Sequence, residues 1–299
     1  MLWILITIAA ALFQNLRTGL QKALKGRLST TGAAYARFIY GLPLAIIYFA
    51  GVAWLSDAPI PEMPLAFWLY CFLGGLTQIL FTVVLLWLFT MRSFAVGTTF
   101  SKLEVIFVVG LGTVLLGDVV GPWALFAIVL GVVGTLLLAM QERRLTPGAL
   151  LRGLGEKATL VGLLSAALVG ASSVFYRGAT LAIEGDFIYR AALTLVVSLA
   201  MQTALMGAWF VLFDRDELVR VLREWRRAAP VGLTGMLGSV GWFSAFALQN
   251  AAYVRAVGQI ELVFAFAASI FFFSERITRV ETAGIGLIVA AILMIVLGG

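Results

Sequence analysis

Ten apolar runs of roughly twenty residues, most of them closed by a charged, glycine-bearing or proline-bearing break, follow one another along the 299-residue chain. They lie at about 2–21, 33–55, 65–89, 96–116, 121–140, 159–181, 187–213, 229–251, 254–273 and 280–298. A helix rising about 1.5 Å per residue needs about this length to cross a hydrocarbon layer of about 30 Å. In such a layer every backbone N–H and C=O must be satisfied internally, so the runs predict helices. The composition agrees, with 62% apolar and only 12% charged residues, against about 25% charged in soluble domains. A soluble globular fold is excluded, and the fold class expected is all-α integral membrane.

Several chemistries fall away at once. The chain has no histidine and a single cysteine, Cys71, inside an apolar run. Zinc, haem and Cys/His nucleophile sites therefore have no ligands to draw on, and no metal or other cofactor is expected. An embedded enzyme would need a nucleophile and base constellation, and none is evident. The net charge of +6 would suggest nucleic acid in a soluble protein, but here the basic residues sort by loop. Alternating the loops between two sides puts 15 of the 21 Lys and Arg on one side, from Lys22, Lys25 and Arg27 through Arg215–Arg227 to Arg276 and Arg279. The opposite loops carry Asp57, Glu62, Asp118, Glu184 and Asp186, with at most Arg255. By the positive-inside rule the basic side is cytoplasmic, which places both termini outside a cytoplasmic (inner) membrane and leaves no nucleic-acid partner. The first run lacks a basic stretch before it and carries Lys22, Lys25 and Arg27 after it, as a retained anchor does and a cleaved signal peptide does not.

The chain also repeats itself. Ser-Lys-Leu-Glu-Val-Ile-Phe at 101–107 matches Gly-Gln-Ile-Glu-Leu-Val-Phe at 258–264, so Glu104 falls on Glu261 at an offset of 157. The same offset carries Gly117-Asp118 onto Ser274-Glu275. More loosely, Arg17 and Arg177 sit late in the first run of each half, and Arg37 and Arg190 near the start of the second. The repeat unit is five helices, at 1–141 and 159–299, joined by a linker at 142–158. Because five is odd, consecutive units enter the membrane from opposite faces, which predicts two inverted five-helix repeats with a binding site near the midplane.

Six basic residues remain inside or at the edge of runs: Arg17, Arg37, Lys102, Arg177, Arg190 and Arg255. A charge at the bilayer centre costs about 3 kcal/mol on insertion scales, so embedded charges should face a bundle interior or a wet cavity. Glu104 and Glu261 lie eight or nine residues into their runs, beyond snorkelling range, and are the first candidates for binding a cationic group or exchanging a coupling proton. A fixed salt bridge is the bland counterpart. Lys102 is a candidate for an anionic group, with Gln259 at its repeat position. Gln78 and Asn15 are the amides placed to touch a ligand. Arg17, Arg37, Arg177, Arg190 and Arg255 read either as snorkelling side chains or as gate and vestibule residues.

The whole pattern resembles the drug/metabolite transporter superfamily in its ten-helix EamA-type branch. Gly117-Asp118 and Ser274-Glu275 stand where that family commonly closes the fourth helix of each repeat with Gly-Glu, and Arg37 where it often has an arginine. The resemblance implies alternating access by a secondary transporter in the lipid bilayer. Combined with the embedded charges, it gives the expectation of a small polar metabolite (an amino acid, an amine or a related zwitterion) as the partner, with proton coupling as one form. A proton-coupled exporter of hydrophobic cations is the first rival, which the embedded basic residues oppose. A lipid flippase or structural bundle is the second.

Overall fold

A computed structural model describes residues 1–24, 26–57, 59–91, 94–142, 145–273 and 278–298, and the apolar runs within them are helices. Lys25, Arg92, Arg143, Arg144, Ser274, Glu275 and Arg276, used above as loop charges or repeat landmarks, lie outside the described residues. In chain order the helices are α1 (Leu2–Ala23), α2 (Thr30–Ser56), α3 (Leu65–Phe89), α4 (Phe94–Phe100), α5 (Glu104–Leu116), α6 (Pro122–Glu142) and α7 (Pro147–Arg152), then α8 (Lys157–Leu181), α9 (Phe187–Phe213), α10 (Arg215–Arg223), α11 (Trp225–Leu248), α12 (Ala251–Gly258), α13 (Ile260–Phe273) and α14 (Arg279–Gly298).

Among the described residues eight of these helices are long and apolar enough to cross a membrane. Their surfaces say the same. The most apolar windows of α2 and α3 are only 17% buried within the protein, and large side chains such as Ile47, Trp54, Leu55 and Leu212 stand outward. That much apolar surface is stable only against lipid.

Two runs read as single spans are instead broken. The run at 96–116 is α4 and α5 in series, separated by a 3-10 turn at Ser101–Leu103, and the run at 254–273 is α12 and α13, separated at Gln259. The helix ends have identifiable caps. Asn250 opens α12 by accepting from the Ala252 N–H at 2.8 Å, and α5 closes on Gly117 in the left-handed conformation at φ 68°, which glycine adopts without a Cβ penalty. The linker holds the short helix α7, capped by Thr146, whose side chain accepts from the Ala149 N–H at 3.2 Å.

The helices gather into two compact units that do not follow the sequence halves. One comprises Leu80–Val174 and Asn250–Gly299 with Met1, the other Leu2–Ile79 and Phe175–Gln249. In the first, α6 and α14 cross at Gly134 and Gly284, where a Cβ on Gly134 would stand 2.6 Å from the Gly284 carbonyl oxygen. In the second, α11 carries glycine at 232, 235, 238 and 241, a spacing of three that keeps one stripe small. A Cβ at Gly232 would stand 2.5 Å from Tyr40 Cβ on α2, and one at Gly241 2.7 Å from Ala10 Cβ on α1. Backbones approach this closely in membranes because small residues remove the side chains between them. Elsewhere in this unit Phe67 and Cys71 of α3, Ala179 and Ile183 of α8, and Tyr189 and Leu193 of α9 form an apolar core.

Candidate functional site

The break between α4 and α5 puts Glu104 at the first residue of α5, and the break between α12 and α13 puts Glu261 at the second residue of α13. Both carboxylates thus lie in the first turn of a half-helix, where unpaired N–H groups concentrate a partial positive charge. The two breaks fall at the same register of the 157-residue repeat. An uninterrupted helix would have offered neither acid a helix N-terminus.

Arg255, one turn ahead of the second break, forms an ion pair with Glu104. The side chains are 12% and 23% exposed respectively, so the pair is largely withdrawn from solvent. Glu261 also lies within electrostatic reach of Arg255. One guanidinium therefore stands in the field of both repeat-related acids, an arrangement a sequence reading of Arg255 as an entrance residue does not contain. Gln259 sits at the break itself, and its side chain lies against α6: a Cβ on Gly131 would be 2.7 Å from the Gln259 Oε1. Gly131 thereby makes room for a polar side chain as well as for a neighbouring helix. The backbone of α8 approaches the same place, since a Cβ on Gly170 would be 3.0 Å from the Glu104 carbonyl oxygen. Lys102 lies on the 3-10 turn and is exposed.

Glu104, Glu261, Lys102, Gln259 and Arg255 all belong to the unit containing 80–174 and 250–299, whereas Gln78, Asn15, Arg17, Arg37, Arg177 and Arg190 belong to the other. In that second unit Gln202 Nε2 donates to Gln78 Oε1 at 2.8 Å, and the Tyr176 hydroxyl donates to the same oxygen at 3.4 Å. Gln202 is 2% exposed, and its amide is held by this bond rather than left without a partner. Asn15 lies part-buried on α1. Arg177 Nη1 donates to the carbonyls of Phe246 and Gln249, both at 2.7 Å. Arg190 donates to the carbonyls of Thr180 at 3.3 Å and Ala247 at 3.4 Å. These two arginines therefore serve carbonyls at helix ends, which lack an intrahelical donor. Arg37 is placed differently, with Nη2 donating to Ser239 Oγ at 3.5 Å and its guanidinium 5.2 Å from the Phe38 ring centre. Arg17 lies beside it, both stems packed on Gly235.

Glu217 of α10 was not singled out by the sequence. Its side chain is fully buried, accepts from the Ser29 N–H at 2.7 Å, and pairs with Arg220 at 2.5 Å. The Asp214-x-x-Glu217 spacing at the start of α10 is a capping pattern, and Asp214 does accept from the Glu217 N–H at 3.2 Å. The glutamate side chain, however, turns away to the start of α2.

Comparison with known proteins agrees with this architecture. Residues 156–297 match the EamA-like transporter family. The matched segment runs from the start of α8 into α14 and includes the α12–α13 break, Arg255 and Glu261. No curated protein matches the sequence. A solved crystal structure of a protein at 16% identity superposes with a TM-score of 0.70, covering 99% of this chain and 97% of that one. At that identity the likeness speaks for the fold alone. An EamA-like segment and many long apolar helices make the chain a multi-pass membrane protein of a transporter family.

Proposed function

We propose that the chain is a secondary transporter of ten membrane-crossing segments arranged as two inverted five-helix repeats. It moves a small polar metabolite, an amino acid, an amine or a related zwitterion, across the cytoplasmic membrane by alternating access, with both termini outside. α4 with α5, and α12 with α13, supply the two crossings that the eight continuous helices leave out. One observation carries the reading: two runs break at places 157 residues apart, each within two residues of a carboxylate, and one guanidinium pairs with Glu104 within electrostatic reach of Glu261. Discontinuous helices in transporters present half-helix ends to solutes and coupling ions, and irregular backbone at membrane depth is tolerated where it lines a cavity. Glu104 and Glu261 bind a cationic group or a coupling proton, and Arg255 holds Glu104 when that site is empty. The arginine also makes the site a poor host for a bare hydrophobic cation, which disfavours the drug-export alternative.

The reading is tested by a thermal-shift screen of the purified protein against amino acids, amines, organic anions and nucleosides across pH. A bound solute raises the melting midpoint of the state that binds it. Stabilisation by amino acids or amines that disappears in Glu104→Gln and Glu261→Gln is expected. Stabilisation that survives both substitutions would remove the acids from the site.

A further inference from the structure

We infer that α10 and the first turn of α11 form a docking surface for an anionic phospholipid at one membrane face. Arg223, Arg226 and Arg227 hold the headgroup phosphate, while Val219, Leu222 and Trp225 rest on the acyl chains. The inference goes beyond the transport reading and does not depend on it.

Five arginines lie between positions 215 and 227, and three of them are engaged within the protein. Arg215 Nε donates to the Val211 carbonyl at 2.7 Å, Arg220 pairs with the buried Glu217 at 2.5 Å, and Arg227 pairs with Glu224 at 3.0 Å. Among the described residues no carboxylate pairs with Arg223 or Arg226. The Arg226 guanidinium stands 5.4 Å from the Trp225 ring centre. Arg223, Arg226 and Arg227 line a cavity of about 310 Å³ together with Glu224. Glu224 also pairs with Arg27 at 3.5 Å, so its charge is shared by two guanidiniums and the lining keeps a positive surplus. A phosphodiester supplies the oxygens that guanidinium forks match in paired N–H bonds.

The apolar neighbours of these arginines favour a lipid over a free anion. α9 and α11, on either side of α10, are both long and apolar enough to cross a membrane, so α10 lies where the chain turns at the membrane surface. α9 ends in the exposed Leu212 and Phe213, and α10 begins two residues after Phe213. One face of α10 is fixed to the protein: Glu217 and Val221 are buried, and they are tied to α2 by the Ser29 N–H and the Tyr40 hydroxyl. Val219 and Leu222, three apart and so on one face, are exposed, as is Trp225. A helix lying in the membrane interface has this make-up, with aliphatic and tryptophan side chains at the hydrocarbon boundary and arginines among the headgroups. The arginine stems can run along apolar surface and deliver the charge to the phosphate, and anionic leaflets attract such basic clusters. A soluble phosphate or an acidic polymer would use the arginines and leave all three apolar side chains in water.

Native mass spectrometry of the full chain in detergent micelles tests this by titrating phosphatidylglycerol, or phosphatidylcholine with the same acyl chains, and measuring the lipid retained. Wild type is expected to prefer phosphatidylglycerol at least tenfold. Arg223→Gln/Arg226→Gln, which leaves the Arg220 and Arg227 ion pairs in place, is expected to lose at least fivefold in phosphatidylglycerol affinity and none for phosphatidylcholine. Val219→Ser/Leu222→Ser keeps every charge and is expected to weaken the same lipid. Arg152→Gln/Lys157→Gln removes as many charges from another exposed segment and is expected to change nothing. The melting midpoint of each variant without lipid reports whether it has folded. Equal phosphatidylglycerol affinity in wild type and folded Arg223→Gln/Arg226→Gln would overturn the docking surface. An equal loss in Arg152→Gln/Lys157→Gln would do the same, since the attraction would then follow total charge. Inorganic phosphate or a single-stranded oligonucleotide that displaces the lipid at equal concentration would overturn a lipid occupant.

Discussion

The Glu104–Arg255 pair is the contact on which the proposed transport chemistry turns, and its energetics can be measured apart from transport. Removing one member of a largely buried ion pair strands the other charge and typically costs about 3–5 kcal/mol, while removing both costs much less. Glu104→Gln and Arg255→Gln should therefore each lower stability strongly, and the double variant should recover part of the loss in a thermal double-mutant cycle. Additive losses would mean that the two side chains do not act as a pair. Arg177 offers a contrast. Its two 2.7 Å bonds to Phe246 and Gln249 carbonyls are charge-assisted, so Arg177→Met should cost about 1.5–3 kcal/mol for each bond lost, with solute affinity unchanged in the folded fraction. Loss of affinity without loss of stability would make Arg177 a binding residue instead. Both acids were legible in the sequence because charge stands out against an apolar run and because the repeat doubled it. The pairing of Arg255 with Glu104 was not, because an arginine near a run's end looks like any snorkelling or gate side chain until the run is seen to break one turn later.

At the scale of elements, hydropathy finds a span and is blind to an interruption inside it. A 3-10 turn at Ser101–Leu103 changes three residues' geometry without changing their polarity pattern, and Gln259 is one amide in an apolar neighbourhood. Only the 157-residue offset marked the two places as equivalent. α10 was hidden for the opposite reason, since its charged face reads as a linker although Val221 and Glu217 are buried. This helix straps the start of α2 through Glu217 and the Ser29 N–H, and the Tyr40 hydroxyl donates to the Val221 carbonyl at 2.9 Å. Glu217→Ala leaves the Ser29 N–H without its acceptor and should cost about 1–3 kcal/mol, read as a lowered melting midpoint. An unchanged midpoint would show that the strap contributes nothing. The glycine crossing of α6 and α14 is equally exposed to test. Gly134→Leu inserts a side chain where a Cβ already meets the Gly284 carbonyl, and overpacking of this kind costs about 1–3 kcal/mol or more; full stability in that variant would contradict the close crossing.

On the whole-molecule scale, the sequence repeat and the spatial units divide the chain differently. Each unit draws helices from both halves, and α3 and α8 contribute residues to both units. A sequence search for similarity reads order along the chain, whereas compactness reads which helices pack, so the first could not disclose the second. The two breaks, though 157 residues apart in sequence, fall in the same unit, and there Arg255 from the second half of the chain pairs with Glu104 from the first. The central claim, that the paired breaks form the transport site, is tested most directly by exchange in proteoliposomes. Labelled amino acids and amines would be offered to vesicles preloaded with the same compounds and containing wild type, Glu104→Gln or Glu261→Gln. The account predicts exchange by wild type of at least one of these compounds and a loss of at least tenfold in each folded variant. Wild-type exchange rates in both variants would contradict it.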